Sequence, residues 1–306
     1  MNVIECRGLA KRYRRTWALR DCGLAIPEGH VVALVGPNGA GKTTLLKLAA
    51  GLLPPTAGDI SVLGGQRPGS GVARVGIGFV SQDAPLYGHL RVRDMLALAE
   101  NLNITWDRDR ALARLADLRV PLDRKVGTLS GGQRAQLALT IALGKRPRLL
   151  ILDEPLASLD PLARHEVMAT LMAEVAEQGL SVVLSSHVLA ELERIADYLV
   201  ILNDGQLQLA GGVEDLLAVH RILTGPGNES TLDARLIAVI HARQAGAQAH
   251  LLVRNSAPPG APAPEGWRSD PASLEDLVLG YLRDPGARML PGPAMAASAG
   301  GPAVTP

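Results

Sequence analysis

The chain opens on two alternating segments, VIECRGL and ALRDCGLAI, on either side of a basic turn. Alternation of apolar and polar positions has the period of a half-buried strand, so Met1 to Pro27 is expected to fold as an antiparallel pair. The next run, HVVALV from His30 to Val35, is apolar after its first residue and bounded by glycines, the pattern of a parallel strand buried on both faces. LLIL, running into Asp153, and LSVVLSS, ending at Ser186, repeat that pattern. Between Asp83 and Thr128 the period changes: RDMLALAENL and RDRALARLADL set leucines and alanines at helical spacing. Past Val200 to Leu202 and the turn NDG the pattern thins. Residues 221–283 read as a small α/β appendage, with a Pro-rich linker at about 256–265 and SLEDLVLGYLR as an amphipathic helix. Residues 284–306, rich in Pro, Gly and Ala and without apolar period, are expected to be a disordered tail.

The chemistry sits at the ends of the buried strands. Gly36 to Thr43 reads GPNGAGKT, the P-loop pattern G-x-x-x-x-G-K-S/T, with an apolar strand before it. Gly36, Gly39 and Gly41, with Pro37, Asn38 and Ala40 between them, let backbone N–H groups close around phosphate oxygens. Lys42 adds an ammonium, Thr43 a hydroxyl, and Thr44 continues the polar start of a helix. Asp153 falls at the carboxyl end of the LLIL strand, where open α/β sheets bind ligands. A carboxylate there suits Mg²⁺, a hard ion that takes oxygen ligands, and Glu154 beside it is a candidate base for water. LSGGQ, Leu129 to Gln133, opens the helix around Arg134 to Leu143 with a Ser-Gly-Gly turn. Its free N–H groups and positive dipole end suit an anion; the same turn also reads as an ordinary helix N-cap.

A P-loop, LSGGQ and a hydrophobic-DE segment in this order resemble the nucleotide-binding subunits of ATP-binding-cassette transporters, over residues 1–220. The resemblance implies an α/β P-loop NTPase cassette with an antiparallel β subdomain and a helical subdomain at about 83–130. It implies ATP and Mg²⁺ as ligands, and hydrolysis by Lys42, Gln82, Glu154 and His187. Tyr13 matches the aromatic that stacks on adenine, and Trp17 nearby offers the same flat face. Gln82 matches the glutamine that reaches Mg²⁺ and the attacking water, so Thr43, Gln82 and Asp153 are the expected metal ligands. His187 matches the switch histidine beside the γ-phosphate. Ser130, Gly131, Gly132 and Gln133 match the signature that faces ATP on the P-loop of a second ATPase subunit, in a homodimer or heterodimer. Asp160, in LASLDP, matches the loop aspartate that crosses between subunits; Ser158 stands where the family usually has glycine or another small residue.

The family also implies a separate transmembrane permease, one of whose short helices enters the groove beside Gln82, making Ala84 to Met95 the expected docking surface. SLEDLVLGYL resembles the end of drug-type exporter ATPases and implies export. The alternative is a cassette ATPase without a transporter, serving repair, translation or cluster assembly. The long insertion of repair members between Gln82 and Ser130 is missing from the sequence, as is the second cassette of translation members.

Composition narrows the setting. No apolar run in the 306 residues approaches the roughly 20 needed to span a bilayer, and no signal pattern precedes the first strand. The expected location is the cytoplasmic face of the membrane, held there by the permease. A formal charge of +1 without a basic block argues against nucleic acid as a partner. Cys6 and Cys22 lack metal-site spacing and are expected as small buried hydrophobes at strand edges.

Overall fold

The computed structural model describes residues 1–83, 85–156, 159–186, 188–226, 237–246, 248–255 and 263–289. They fall into two compact units, Met1–Leu216 and Leu217–Pro306. In the first, β1 (Asn2–Tyr13) and β2 (Thr16–Pro27) form the expected hairpin, followed by β3 (Val31–Val35) and α1 (Lys42–Ala49). β4 (Ala57–Val62) returns to pair antiparallel with the free side of β1, giving the order β2-β1-β4. Cys6 therefore sits on the central strand and only Cys22 on an edge strand, a correction to the edge placement of both. The reason is pairing, since β1 is hydrogen-bonded to β2 on one side and to β4 on the other. Both thiols are free and buried, and burial pushes Cys6 up to about 12.

The remaining elements of this unit follow in order: α2 (Gly71–Gly76), β5 (Ile77–Val80), α3 (Val92–Leu102), α4 (Arg108–Asp117), α5 (Gly131–Gly144), β6 (Leu149–Asp153), α6 (Pro161–Gln178), β7 (Ser181–Ser185), α7 (Leu189–Leu192), β8 (Tyr198–Asn203), β9 (Gln206–Gly212) and α8 (Val213–Val219). A six-stranded sheet runs β5-β6-β7-β3-β8-β9, parallel except where β9 turns back on β8. Every residue of β3, β6 and β7 is buried, as their unbroken apolar runs predict. Leu45, Leu46, Leu48 and Ala49 of α1 pack with β3 and the hairpin in one core, which anchors the loop between β3 and α1 at both ends.

A second core joins α3, α4 and the start of α5 through Val92, Met95, Leu96, Ala111, Leu115, Leu129 and Leu137. The helical region therefore continues past 130 into α5. Val92 and Met95 face inward, so Ala84 to Met95 is not one exposed face; Ala84 itself lies outside the described residues. A polar bond ties this region to α6, Arg110 donating to Glu174 at 2.8 Å, while Arg114 donates to Gln136 on α5 at 2.7 Å and links α4 to α5 within it.

The second unit is a four-stranded antiparallel sheet, formed by β10 (His220–Pro226), β11 (Ile237–Ala245), β12 (Gln248–Asn255) and β13 (Arg268–Pro271) in the order β11-β12-β10-β13. Its helix α9 (Leu274–Arg283) is the amphipathic segment expected from SLEDLVLGYLR, opened by a capping box between Ser273 and Asp276. Leu274, Leu277, Val278 and Tyr281 are buried, and Tyr281 shares its hydroxyl with His220 Nε2 at 3.0 Å and Arg254 Nη1 at 3.5 Å. The tail does not begin at 284: Pro285–Met289 forms a 3-10 turn that packs against α9 and β11 and buries Ala287. Residues 256–262 of the expected linker and 290–306 of the expected tail lie outside the described residues. Among the described residues, no helix is long and apolar enough to cross a membrane.

Candidate functional site

The loop leaving β3 is shaped by contacts that only glycine allows. A Cβ on Gly36 would stand 2.2 Å from the Leu202 carbonyl oxygen, and one on Gly41, at φ 102°, would stand 2.4 Å from that of Ala18. Gly39, at φ 84°, instead faces open space, where a side chain would fill the cradle. Lys42 opens α1 nearly buried, its ammonium donating to Gly36 O at 2.7 Å and Pro37 O at 3.2 Å, and lying 4.0 Å from Glu154 Oε1. The loop residues 36–44, with Ala18, Gln82 and Glu154, line a cavity of about 620 Å³. Glycine amides, an ammonium and a helix N-terminus converging on one cavity suit a chain of phosphates.

Parallel pairing of β6 with β7 sets Asp153 beside Ser185. Thr43 Oγ1 donates to Asp153 Oδ1 at 3.0 Å, and Ser185 Oγ donates to the same oxygen at 2.9 Å. The Glu154 amide donates to Ser185 Oγ at 2.8 Å. Glu154 itself holds φ 51°, a left-handed conformation uncommon outside glycine, which turns the chain at the strand end and leaves its carboxylate in the cavity wall. The donors Asp153, Thr43 and Gln82 are all oxygen groups, as a hard cation requires. Among the described residues, no cluster of three or more His, Cys, Asp or Glu forms a metal site.

The signature turn stands apart from this cavity. Ser130 caps α5, accepting from Gln133 N at 3.1 Å while Gln133 Oε1 accepts from Ser130 N at 3.2 Å. A Cβ on Gly132 would stand 3.2 Å from Ala163 Cβ on α6. Asp160 caps α6, accepting from Ala163 N at 2.9 Å, with Pro161 in the first turn. Gly131 lines a second cavity of about 450 Å³ with Gln82, Asp83, Arg134 and Pro155. Gln82 is thus common to both cavities.

The structure therefore brings together the loop 36–44, Asp153, Glu154 and Gln82, and leaves Ser130 to Gln133 and Asp160 outside that group. Tyr13 lies near the tip of the β1–β2 hairpin, 44% exposed, while Ala18 farther along the hairpin reaches the cavity wall. Both candidate aromatics carry a cation: Lys11 Nζ is 5.5 Å from the Tyr13 ring centre, and the Arg12 guanidinium 5.2 Å from that of Trp17. His187 and Ser158 lie outside the described residues. Sequence reasoning missed Ser185 and Arg134. For Ser185 the available signal was a hydroxyl ending a buried strand next to the one that ends in Asp153.

A parallel sheet with a glycine loop at the end of its central strand, a buried lysine, and an acid pair two strands away defines a P-loop nucleotide hydrolase. Within that class, the profile described as ABC transporter matches residues 19–157. An uncharacterised ABC transporter ATP-binding protein, YxlF of Bacillus subtilis, is 34% identical over 70% of this chain and 72% of its own length. The Nod factor export ATP-binding protein I of Rhizobium johnstonii is 36% identical, covering 67% of both chains. The spermidine/putrescine import ATP-binding protein PotA of Spiroplasma citri is 34% identical over 69% of this chain, which spans 61% of that relative. A solved ATP-binding subunit of an ABC transporter superposes with a TM-score of 0.63 at 30% identity, covering 70% of this chain and 91% of that one. A dimeric cassette in a post-hydrolysis state, bound to ADP and Pi, gives 0.62 at 25% identity over 69% and 98%. The chain belongs to the ATP-binding subunits of ABC transporters, and it is an ATPase.

Proposed function

We propose that this chain is the motor of a transporter whose passage lies in a separate permease, and that it works on the cytoplasmic face of the membrane as one of two ATPase subunits closing head to tail. One observation carries the reading. Ser130 to Gln133 lie outside the P-loop cavity of their own chain, with only Gly131 lining the neighbouring one. A second subunit would supply the missing N–H groups to each cavity, which accords with the dimeric assembly of the post-hydrolysis relative.

In each completed site Lys42 and the loop amides hold the phosphates, and Tyr13 stacks on adenine. Mg²⁺, held by Thr43, Asp153 and Gln82, supplies neutralisation of phosphate charge when bound. Glu154 takes the proton of the attacking water, His187 orients the γ-phosphate, and Ser130 with Asp160 serves the opposite site. Gln82, shared by both cavities, reports the state of the phosphates to the helical region.

The permease helix would seat in a groove of about 960 Å³ lined in part by Leu52, Pro85, Leu86, Leu102 and Ile104. Leu102 is 73% and Ile104 92% exposed, an apolar rim that a partner would cover. Export of a hydrophobic, drug-like or lipid-like molecule is the direction supported by the SLEDLVLGYL phrase of α9. The test of the site is Glu154→Gln: turnover should fall by about 10²-fold or more while ATP binding persists. A Glu154→Gln protein with native turnover would remove Glu154 from the mechanism. Co-reconstitution with the permease in inverted vesicles tests direction, export appearing as ATP-dependent uptake into the lumen.

A further inference from the structure

We propose that Ser185 is a positioning residue for hydrolysis, setting both acids of the site through one hydroxyl; this rests on the reading of Asp153 as metal ligand and Glu154 as base. The β6–β7 pairing ends at Asp153 opposite Ser185, and the chain turns at Glu154. The Ser185 hydroxyl bridges the two acids, accepting from Glu154 N at 2.8 Å and donating to Asp153 Oδ1 at 2.9 Å. Two consequences follow from those two bonds.

The accepted bond holds Glu154 at φ 51°, a left-handed conformation that a non-glycine residue keeps only where neighbours enforce it. The donated bond, joined by the one from Thr43 at 3.0 Å, fixes both donors on Oδ1 and so sets the orientation of the Asp153 carboxylate. Ser185 is fully buried, with no exposed surface, so water does not substitute for the hydroxyl when it is removed. A side chain at this place must donate and accept at once and remain small. Serine meets those requirements, and alanine would remove the bond that the Glu154 amide donates and the one that Asp153 accepts.

The experiment compares native protein with Glu154→Gln, Ser185→Ala, Ser185→Thr and the Glu154→Gln/Ser185→Ala double variant. Steady-state kinetics, ATP affinity in EDTA and in Mg²⁺ by a fluorescent ATP analogue, and thermal melting are measured for each. For Ser185→Ala the expected result is a kcat lower by about 10- to 100-fold with KM within about threefold. ATP affinity in EDTA should stay within about twofold of native, and the gain in affinity on adding Mg²⁺ should shrink, a readout independent of turnover. Ser185→Thr, which keeps the hydroxyl, should recover most of kcat. Should its extra methyl prevent folding, the double variant decides: its gain in ATP affinity on adding Mg²⁺ should shrink as in Ser185→Ala, whereas a gain equal to that of Glu154→Gln alone overturns the proposal.

Native kcat in Ser185→Ala beside an inactive Glu154→Gln overturns the proposal and leaves the site reading intact. Weakened ATP affinity in EDTA overturns it too, since the cradle and not the acid pair would then be disturbed. Native turnover in Glu154→Gln overturns the site reading itself.

Discussion

Each of the two units sets a trio of polar groups at a buried place beside a sheet, and they use it oppositely. In Met1–Leu216, Asp153, Ser185 and Thr43 share hydrogen bonds at strand ends, with Glu154 and the glycine loop opening on a cavity. In the C-terminal unit, His220, Tyr281 and Arg254 meet beneath α9, where Tyr281 and His220 have no exposed surface. The first trio borders a cavity through Thr43, and its surroundings carry positive φ at Glu154 and close-packed glycines at Gly36 and Gly41. The second is enclosed, so its bonds fix one packing of sheet on helix. Loss of a member should therefore cost catalysis in one unit and stability in the other.

The largest expected effect is Lys42→Ala. Removing the ammonium that faces the cavity should lower ATP affinity and turnover by about 10²-fold or more without moving the melting temperature much. Nucleotide titration with calorimetry checks both. On the other side of the comparison, Tyr281→Phe removes the buried hydroxyl that bonds His220 and Arg254 and should destabilise the C-terminal unit by about 1–3 kcal/mol. The melting temperature of that unit would drop by several degrees, with ATPase within about twofold of native. An equal loss of turnover would break the division of labour between the units.

Smaller effects sharpen the boundary of the second unit. Ending the chain after Met289 should leave melting and turnover unchanged, while ending it after Asp284 also removes the buried Ala287 and should cost about 1 kcal/mol. The smallest effect concerns Cys6. Because burial pushes its thiol up to about 12, the native protein at pH 8 carries almost no thiolate there, and iodoacetamide should modify Cys6 only after unfolding.

The difference between the units also explains what the sequence disclosed. Phosphate binding demands residue types at fixed spacing, so Gly36 to Thr43, Asp153 and Glu154 were readable; the loop and Glu154 line one cavity, and Asp153 adjoins it through its bond from Thr43. Apolar runs gave β3, β6 and β7 for the same reason: full burial leaves no alternation to misread. Ser185 was not readable, because its role depends on β7 lying next to β6, a pairing between segments 32 residues apart. The C-terminal sheet read only as a mixed appendage: β11 carries a register shift between Val239 and His241 that breaks its alternation. Of the stretch Ala84 to Met95, Val92 and Met95 belong to the buried apolar stripe of α3, and a stripe does not announce whether it meets its own chain or a partner.

The shared site is the central claim, and ATP-dependent dimerisation tests it most directly. Glu154→Gln, examined by size-exclusion chromatography with ATP and Mg²⁺, should elute as a dimer that native protein forms only transiently. Adding Ser130→Arg to the same chain should return it to monomer while ATP affinity stays within about twofold, because Ser130 would serve the cavity of the other subunit. A double variant that still dimerises around ATP, or one that loses its own ATP affinity, would contradict the account.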